Sequence, residues 1–206
     1  MNSILKTILS ITLISLLNVN YLQAETRALV AGTDYQVMAQ KGSKKPEVME
    51  FFSYACGACY SMESFINKFK RDNSEIKVIP VPNDLGHDQW KVYVKAYYLG
   101  ELLKVLDKSH EKLFYRVHVD KKQIKNEAEL KDFFIALGVN ENSYEKANKS
   151  FALNAKIRNA KQLAKRYEVS GTPTYIANQQ FKLNNKALES LEMIEKALKL
   201  LTKINK

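Results

Sequence analysis

The sequence has few of the residues that mark metal-bound or irregular structure: two cysteines, three histidines, four prolines and seven glycines among 206 residues. With so little proline and glycine, and no low-complexity tract or internal repeat, long linkers and repeat arrays are excluded. A hydrophobic content of 46% beside 26% charged residues is that of an ordinary globular protein. We therefore expect one domain of usual size, or a small domain with an insertion.

Three classes of function lack support in the sequence: phosphate binding by a Gly-rich loop, Ser-His-Asp hydrolysis and nucleic-acid binding. The sequence has no Gly-rich phosphate-binding loop and no Ser-His-Asp arrangement. Its net charge is +10, but the basic residues alternate with acidic or apolar ones and form no dense block with aromatic residues. This pattern predicts a solvated basic surface and no nucleic-acid partner.

Residues 1–24 are predicted to be a cleaved secretory signal. Lys6 carries the only formal side-chain charge there, and residues 8–17, "ILSITLISLL", form an apolar run too short to span a bilayer comfortably. Small Ala24 stands before charged Glu25, where we expect cleavage; an uncleaved anchor is the alternative. No cysteine precedes residue 56, so we expect no lipidated N-terminus. The mature protein should fold outside the cytoplasm, where disulfides persist.

A strand–helix–strand unit is predicted around the cysteines, after a short β-prone segment at residues 35–39. Residues 47–54, "EVMEFFSY", are mostly apolar and too few for a helix, which predicts a strand buried on both faces. Apolar residues then recur at helical spacing from near Cys56 to near Arg71. Residues 76–82, "IKVIPVP", predict a second strand stopped by its prolines. This order implies a parallel pair with a right-handed connection.

The middle of the chain is predicted to be helical. Residues 88–107 have the apolar spacing of one helix, weakened by Gly100. Another helix has Asn126 as its cap, Glu129 three residues later and Gly138 at its end. A longer helical stretch is predicted over residues 143–167.

The C-terminal part is predicted to contain a hairpin and a helix. Residues 172–184, "TPTYIANQQFKLN", predict a β-hairpin that turns near Asn178 and Gln179. The last helix is expected to present an apolar stripe made of Leu188, Leu191, Ile194, Leu198 and Leu201.

Both cysteines stand in "FFSYACGACY", residues 51–60. Cys56 follows the predicted buried strand and opens the predicted helix, where unpaired backbone N–H groups and the helix dipole favour its thiolate. Cys59 lies one turn later, within disulfide reach. An exposed attacking thiol with a screened resolving thiol behind it is the layout that disulfide exchange requires.

Two alternatives stand beside this redox interpretation. Zinc takes about four ligands, but a second CxxC is missing and His87, His110 and His118 are scattered, so we predict no metal site. A purely structural disulfide is harder to dismiss, although so short a loop restricts the unfolded chain little.

A second motif supports redox chemistry. "VSGTPTYIAN", residues 169–178, places Pro173 in the first residues of a predicted strand, where proline is unusual. A cis Thr172–Pro173 bond would expose the Thr172 backbone to pair with an extended peptide, whereas an ordinary trans turn proline is the alternative.

Together these motifs resemble the thioredoxin superfamily, and more closely the DsbA family of periplasmic thiol:disulfide interchange proteins. "VMEFFSYACGACY" is similar to that family's active-site strand and helix start, and "YEVSGTPTYIANQQFKLN" to its cis-proline loop and hairpin. "NKSFALNAKIRNAKQLAKRY" resembles the long helix before that loop. The resemblance runs from about residue 26 to the C-terminus. It implies an α/β, thioredoxin-like fold with an inserted helical domain: residues 25–83 and 161–206 around an insertion of residues 84–160.

The resemblance also implies roles for five residues. Cys56 would be the nucleophile and Cys59 the resolving cysteine; Pro173 would be the cis-proline facing them, with Thr172 offering its backbone to the substrate. Glu50 matches the family's buried acid, a candidate proton relay for Cys59 whose burial should raise its pKa. Pairing of Glu50 with a lysine is the alternative.

The implied activity is transfer of the Cys56–Cys59 disulfide to reduced exported polypeptides in the periplasm of a Gram-negative bacterium. It needs no cofactor, and a quinone-linked membrane protein of the DsbB type would reoxidise the cysteines. The best known DsbA members, however, have Pro-His between the cysteines and Val before the cis-proline. This chain has Gly57, Ala58 and Thr172, so thiolate stabilisation is expected from the helix N-terminus alone.

These departures leave other functions open. A disulfide isomerase or reductase fits Gly57, Ala58 and Thr172, but residues 25–55 are too few for the separate dimerisation domain typical of such isomerases. A peptide-binding chaperone with an incidental disulfide is an alternative from another class.

Overall fold

The computed structural model describes residues 27–204, so the predicted signal at residues 1–24 lies outside the described residues. Five strands form one mixed sheet in the order β1-β5-β4-β2-β3. In that sheet β2 and β3 are parallel and the remaining neighbours antiparallel. The strands are β1 (Tyr35–Val37), β2 (Glu47–Phe52), β3 (Lys77–Pro82), β4 (Thr174–Ala177) and β5 (Phe181–Leu183).

Helices pack on this sheet. α1 (Gly57–Asp72) connects β2 to β3, and a 3-10 turn (Asp88–Trp90) follows β3. Between that turn and β4 lie α2 (Lys91–Leu102), α3 (Leu106–His118), α4 (Glu127–Ala136), α5 (Glu141–Asn148) and α6 (Phe151–Arg166). After β5 come α7 (Asn185–Leu188) and α8 (Leu191–Leu201). Within residues 27–204, no helix combines the length and the apolar composition needed to cross a membrane.

The central strand β2 is buried as its apolar run predicts. All residues from Val48 to Phe52 are buried, and their side chains enter two clusters on the two faces of the sheet. Val48 packs in a cluster with residues of α8, whereas Met49 and Phe51 belong to the cluster shared with α2, α3 and α4. This burial fixes the position at which β2 ends and α1 begins.

The helix predicted over residues 88–107 is wrong in extent. α2 ends at Leu102, Lys104 has a φ of 59°, and α3 begins at Leu106. Gly100 does not end the helix. It lies inside α2, where a Cβ atom would stand 2.4 Å from Ser109 Oγ of α3. The glycine therefore allows close packing of two consecutive helices instead of weakening one long helix.

The stretch predicted over residues 143–167 consists of two helices, each with its own cap. Asn140 accepts a hydrogen bond from the N–H of Ser143, and Ser150 accepts one from the N–H of Leu153. Because Ser at an N-cap satisfies an otherwise unpaired N–H, the chain restarts a helix at residue 151.

Two other predictions are confirmed and one is corrected. Asn126 caps α4 through the N–H of Glu129, and the hairpin turns at Asn178 and Gln179, which have φ values of 51° and 58°. In the last helix Leu191 is exposed, because the buried stripe of α8 consists of Met193, Ile194, Ala197, Leu198 and Leu201. Leu188 is buried, but it belongs to α7.

We propose the division of the chain into a thioredoxin-like domain and an insertion on the basis of this order. The sheet, α1, α7 and α8 form the first unit, and α2 to α5 the second. Because α6 is continuous from Phe151 to Arg166, a boundary at residue 160 would divide one helix.

Candidate active site

Cys56 is the N-cap of α1. Its backbone is extended, with φ −89° and ψ 115°, and its Sγ accepts a hydrogen bond from the N–H of Cys59 at 3.2 Å. Cys56 is half-buried and Cys59 is 2% exposed, and both are free thiols. The sulfur of Cys56 thus occupies the place of a capping side chain, where it faces the unpaired N–H groups of the first turn.

The loop before β4 lies against Cys56. The Thr172–Pro173 bond is cis, which confirms the prediction. The Sγ of Cys56 is 3.3 Å from the carbonyl oxygen of Thr172. Thr174 Oγ1 donates to the Gly171 carbonyl at 2.8 Å, and Asn185 Nδ2 donates to the Pro173 carbonyl at 3.0 Å. Cys56 and Thr172, which are 116 positions apart in the sequence, are therefore in contact at this end of the sheet.

The two thiols have opposite acidity. Hydrogen bonds from the Cys59 thiol, the Thr172 side chain and the backbone N–H groups lower the pKa of Cys56 to about 5, against the effect of burial. The Thr172 carbonyl can only accept, so its contact with Cys56 belongs to the protonated thiol. Hydrogen bonding to Cys56 and burial raise the pKa of Cys59. Cys56 is thus the nucleophile that this geometry favours.

Glu50 is a buried acid on β2, 4% exposed. Burial raises its pKa to about 7; Glu63 adds to the rise, while Lys70 and a hydrogen bond from the Tyr175 hydroxyl oppose it. The Tyr175 Oη to Glu50 Oε1 distance is 3.4 Å. Among the described residues Glu50 forms no ion pair, so the pairing with lysine considered as an alternative is not found. A carboxyl group with this pKa can give or take a proton near neutrality.

Sequence reasoning missed two histidines that support the site. His118 Nε2 lies 2.8 Å from the carbonyl oxygen of Tyr54, so this nitrogen carries the hydrogen, and His110 Nδ1 lies 2.7 Å from the Tyr54 hydroxyl. His118 also stacks on Tyr60, with ring centroids 4.9 Å apart. Both histidines come from α3 and hold the turn that precedes Cys56. Neither histidine lies in a helix predicted from the sequence, so no local signal places them beside Cys56.

The described residues, 27–204, contain no group of three or more side chains able to hold a metal ion together. The arrangement instead suits thiol chemistry. Cys56 is a thiol of lowered pKa at a helix start, Cys59 is a buried thiol behind it, and the Thr172 backbone lies beside Cys56. Glu50 adds a buried carboxyl group with a pKa of about 7.

Comparisons with known proteins agree with this geometry. Residues 81–199 match the model of the DSBA-like thioredoxin domain; this range includes Thr172 and Pro173 but not the cysteine pair. The chain is 31% identical to a thiol:disulfide interchange protein DsbA of Pseudomonas syringae over 141 residues, which are 68% of this chain and 65% of that protein. It is 30% identical to the DsbA of Azotobacter vinelandii over 71% of this chain and 68% of that one. The DsbA of Burkholderia cepacia aligns over 86% of this chain and 87% of its own, at 28% identity.

Solved structures show the same architecture. The crystal structure of Pseudomonas aeruginosa DsbA superposes with a TM-score of 0.77 at 25% identity, over 85% of this chain and 93% of that one. A DsbA structure from Klebsiella pneumoniae has a TM-score of 0.74 at 22% identity and is covered over its whole length. The thioredoxin-like fold predicted from the sequence is confirmed, and the chain belongs to the family of DsbA-like thioredoxin domain proteins, the thiol:disulfide oxidoreductases of oxidative folding.

Proposed function

We propose that Cys56 and Cys59 form the redox-active disulfide that this protein donates to exported polypeptides. A substrate thiolate attacks Cys56 Sγ, the bond between the two enzyme sulfurs breaks, and Cys59 leaves with the electron pair. A second substrate thiolate then attacks the substrate sulfur of the mixed disulfide and expels Cys56 as a thiolate. Two electrons pass from the substrate dithiol to the enzyme, and the substrate gains one disulfide.

The position of Cys56 at the N-cap of α1 carries this proposal. The lowered pKa of its thiol makes Cys56 a good leaving group in the second step, because a thiol with a low pKa leaves faster. Cys59 is buried, and its raised pKa means that it takes up a proton once it has left.

Glu50 is the proposed source of that proton. Its pKa of about 7 keeps a large fraction of the Glu50 side chains protonated at neutral pH. Tyr175 contacts Glu50, and its pKa is raised by burial first and also by the charges of Glu50 and Cys59, so both groups lie near the same tyrosine. A carboxyl group in this position can supply the proton to Cys59 on substrate oxidation and recover it on reoxidation.

Thr172 and Pro173 are the proposed substrate-binding residues. The Thr172 backbone faces Cys56, so an extended peptide that pairs with this loop would bring its cysteine sulfur to Cys56. The N-terminal pattern supports export to the periplasm with removal of residues 1–24. Reoxidation by a quinone-linked membrane protein of the DsbB type follows from the family resemblance.

The test is a single-turnover reaction between the oxidised protein and a reduced peptide with two cysteines. We expect the peptide to gain a disulfide, Cys59→Ser to trap a mixed disulfide at Cys56, and Cys56→Ser to be inactive. Oxidation of the peptide by Cys56→Ser at the wild-type rate would contradict the proposal. The alternative that Gly57, Ala58 and Thr172 favour is a disulfide isomerase or reductase. Equilibration of the cysteine pair with glutathione distinguishes it from a disulfide donor, because a donor has a reduction potential near the oxidising end of the range.

A further inference from the structure

A cleft of about 540 Å³ lies beside the cis-proline loop. One wall is the loop after β3, residues 83–86; the other is the end of α6 with residues 168–170. The N–H of Asn83 donates to the carbonyl of Phe52 at 2.8 Å, so the cleft is at the end of the sheet where β2 leads to Cys56.

The cleft is within reach of a substrate bound at Thr172. Ser170, which lines the cleft, precedes Thr172 by two residues, and two residues of chain span at most about 7 Å. The Thr172 carbonyl is itself 3.3 Å from Cys56 Sγ. An extended peptide advances about 3.3 Å per residue, so a side chain two or three positions from the reacting cysteine reaches this cleft.

Lysine side chains contribute the positive charge of the cleft. Lys91, Lys161 and Lys165 line it, and Lys161 and Lys165 are exposed, one helical turn apart on α6, and form no ion pair within residues 27–204. The helix α6 has no acidic residue and has five basic ones: Lys156, Arg158, Lys161, Lys165 and Arg166.

The lining of the cleft has three lysines and two carboxylates, and neither carboxylate forms an ion pair with Lys161 or Lys165 within residues 27–204. Asp88 pairs with Lys91, and Asp84 accepts a hydrogen bond from the N–H of Gly86 in its own loop. Besides Asp84, the lining contains one more carboxylate, that of Glu168, which is exposed to solvent.

A buried polar atom without a hydrogen-bond partner among the described residues lies in the opposite wall, formed by residues 83–86. Asn83 is 9% exposed, its Oδ1 accepts from the N–H of Leu85 at 2.8 Å, and its Nδ2 has no hydrogen-bond partner among the described residues. An unpaired buried amide donor is unfavourable, and a carboxylate oxygen entering the cleft is the kind of acceptor that would satisfy it.

We propose that this cleft is a subsite for an aspartate or glutamate side chain of the polypeptide substrate, two or three residues from the cysteine that reacts with Cys56. Lys161 and Lys165 supply the charge, and Asn83 supplies a neutral donor. The inference rests on the proposed function, because it concerns which substrates the cysteine pair selects.

The test compares three reduced peptides of one sequence that carry Glu, Gln or Lys three residues from the cysteine, reacted with the oxidised full-length protein. Since exposed ion pairs contribute under about 1 kcal/mol each, we expect the Glu peptide to react about fivefold faster than the Gln peptide at low salt. The preference should fall at high salt. In Lys161→Gln/Lys165→Gln it should fall below about twofold.

A matched control has the same change in net charge at the other end of the sheet. Lys77 begins β3, and Lys203 lies beside Ile204, whose carbonyl accepts from Asn178 in the hairpin turn. Lys77→Gln/Lys203→Gln should keep the preference. Oxidation of dithiothreitol, which has no side chain for the cleft, should be equal in all variants; failure of that reaction in the wild type would instead contradict the proposed function.

Three outcomes would overturn the subsite: equal rates with the Glu and Gln peptides, an equal loss of preference in both double variants, or an unchanged preference in Lys161→Gln/Lys165→Gln. Phosphatidylglycerol vesicles separate a lipid-binding surface from a peptide subsite. If the α6 variant loses vesicle binding and keeps its peptide preference, the lysines serve a membrane and the proposal is wrong.

Discussion

Cys56 and Cys59 are the same chemical group three residues apart, and the surroundings move their pKa values in opposite directions. Cys56 receives hydrogen bonds at a helix start, whereas Cys59 lies behind the first turn and is buried. The hydrogen bond between the two thiols lowers the pKa of Cys56 and raises that of Cys59, and burial raises the pKa of Cys59 further. The effect of a helix terminus also falls off within one turn, which favours the thiolate at Cys56 over that at Cys59.

The first prediction is a titration of these thiols. In the reduced protein, thiolate absorbance should show one transition near pH 5 from Cys56, since its pKa is lowered to about 5. Alkylation followed by mass spectrometry should modify Cys56 and leave Cys59 unreacted in the folded protein. Cys56→Ser serves as the control and should lack the transition. A single transition in the range of an ordinary free thiol would contradict the activation of Cys56.

Glu50 gives a second prediction, on stability. A buried acid with a raised pKa binds its proton more tightly when folded, so stability is highest below its ordinary pKa of 4.5 and falls as pH rises to about 7. Replacement by Gln removes this loss. Because the pKa rises from 4.5 to about 7 and one pKa unit is about 1.4 kcal/mol, Glu50→Gln should raise the free energy of unfolding by on the order of 3 kcal/mol at pH 8.

The measurement is urea unfolding of reduced wild type and Glu50→Gln at pH 4 and pH 8. At pH 4 both proteins carry a neutral side chain at residue 50, and the difference should largely disappear. A gain of equal size at both pH values would mean that it comes from packing rather than from the buried charge.

At the residue scale, sequence reasoning selected the residues that we propose react and missed two histidines that contact the turn before them. The CxxC spacing and the apolar strand before it were enough to locate Cys56 and Cys59, whereas Glu50 was found through the resemblance to the DsbA family. His110 and His118 were set aside because they were too scattered for a metal site. Their contacts with Tyr54 depend on how α3 packs against the turn before Cys56, and no local pattern specifies that packing.

At the scale of elements, Gly100 shows that a glycine required for close helix packing can be mistaken in the sequence for one that weakens a helix. Glycine lowers helix propensity by about 1 kcal/mol relative to alanine, which is why residues 88–107 suggested one weakened helix. In the structure the absence of a side chain lets α2 approach Ser109 of α3. The break occurs two residues after α2 ends, at Lys104 in the left-handed region, and the sequence carries no glycine there.

A third prediction follows from this contact. Gly100→Ala should destabilise the protein, because its Cβ would stand 2.4 Å from Ser109 Oγ and the buried Ser109 has little room to move. Overpacking of this kind costs about 1–3 kcal/mol, which exceeds the gain in helix propensity.

Urea unfolding of Gly100→Ala would measure this cost. Gly57→Ala is the matched control, since a Cβ at Gly57 meets no atom within 4 Å. Adding Ser109→Ala to Gly100→Ala removes the closest atom and should restore part of the loss. A stabilised Gly100→Ala would show that helix propensity, and not packing, governs this position.

Caps and turns account for the elements that the sequence does specify. Asn126 with Glu129, and Asn178 with Gln179, act within four residues of chain, so their geometry can be inferred from local chemistry. The division of residues 143–167 at Ser150 was equally local, but Ser occurs in helix interiors and at caps alike, and the apolar spacing continued across it.

At the scale of the molecule, one end of the sheet gathers groups that are far apart in sequence. Residues of β2, α1 and the loop before β4 meet around Cys56, and α3 closes the turn behind it. The donors among these groups, including the N–H of Cys59 at 3.2 Å, act on the Cys56 thiolate of the reduced protein. The same stabilisation of the reduced form is the established reason why DsbA itself is a strong oxidant.

The fourth prediction applies this coupling to the stability of the whole chain. In the reduced protein Cys56 has a pKa lowered from 9.0 to about 5, so its contribution to stability is fully present above pH 9 and is lost as pH falls through about 5. The oxidised protein has no thiol at residue 56 and lacks this contribution. Its short disulfide loop adds a stabilisation that does not depend on pH in this range.

The Tm of the reduced form minus that of the oxidised form should therefore increase from pH 4 to pH 8. For a chain of this size, 1 kcal/mol corresponds to about 2–4 °C, so differential scanning calorimetry resolves the change. Glu50 is present in both forms, and its opposite pH dependence largely cancels in the difference. A difference in Tm that stays constant between pH 4 and pH 8 would mean that thiolate formation at Cys56 does not stabilise the reduced protein, and the oxidising character proposed for the pair would then lose its physical basis.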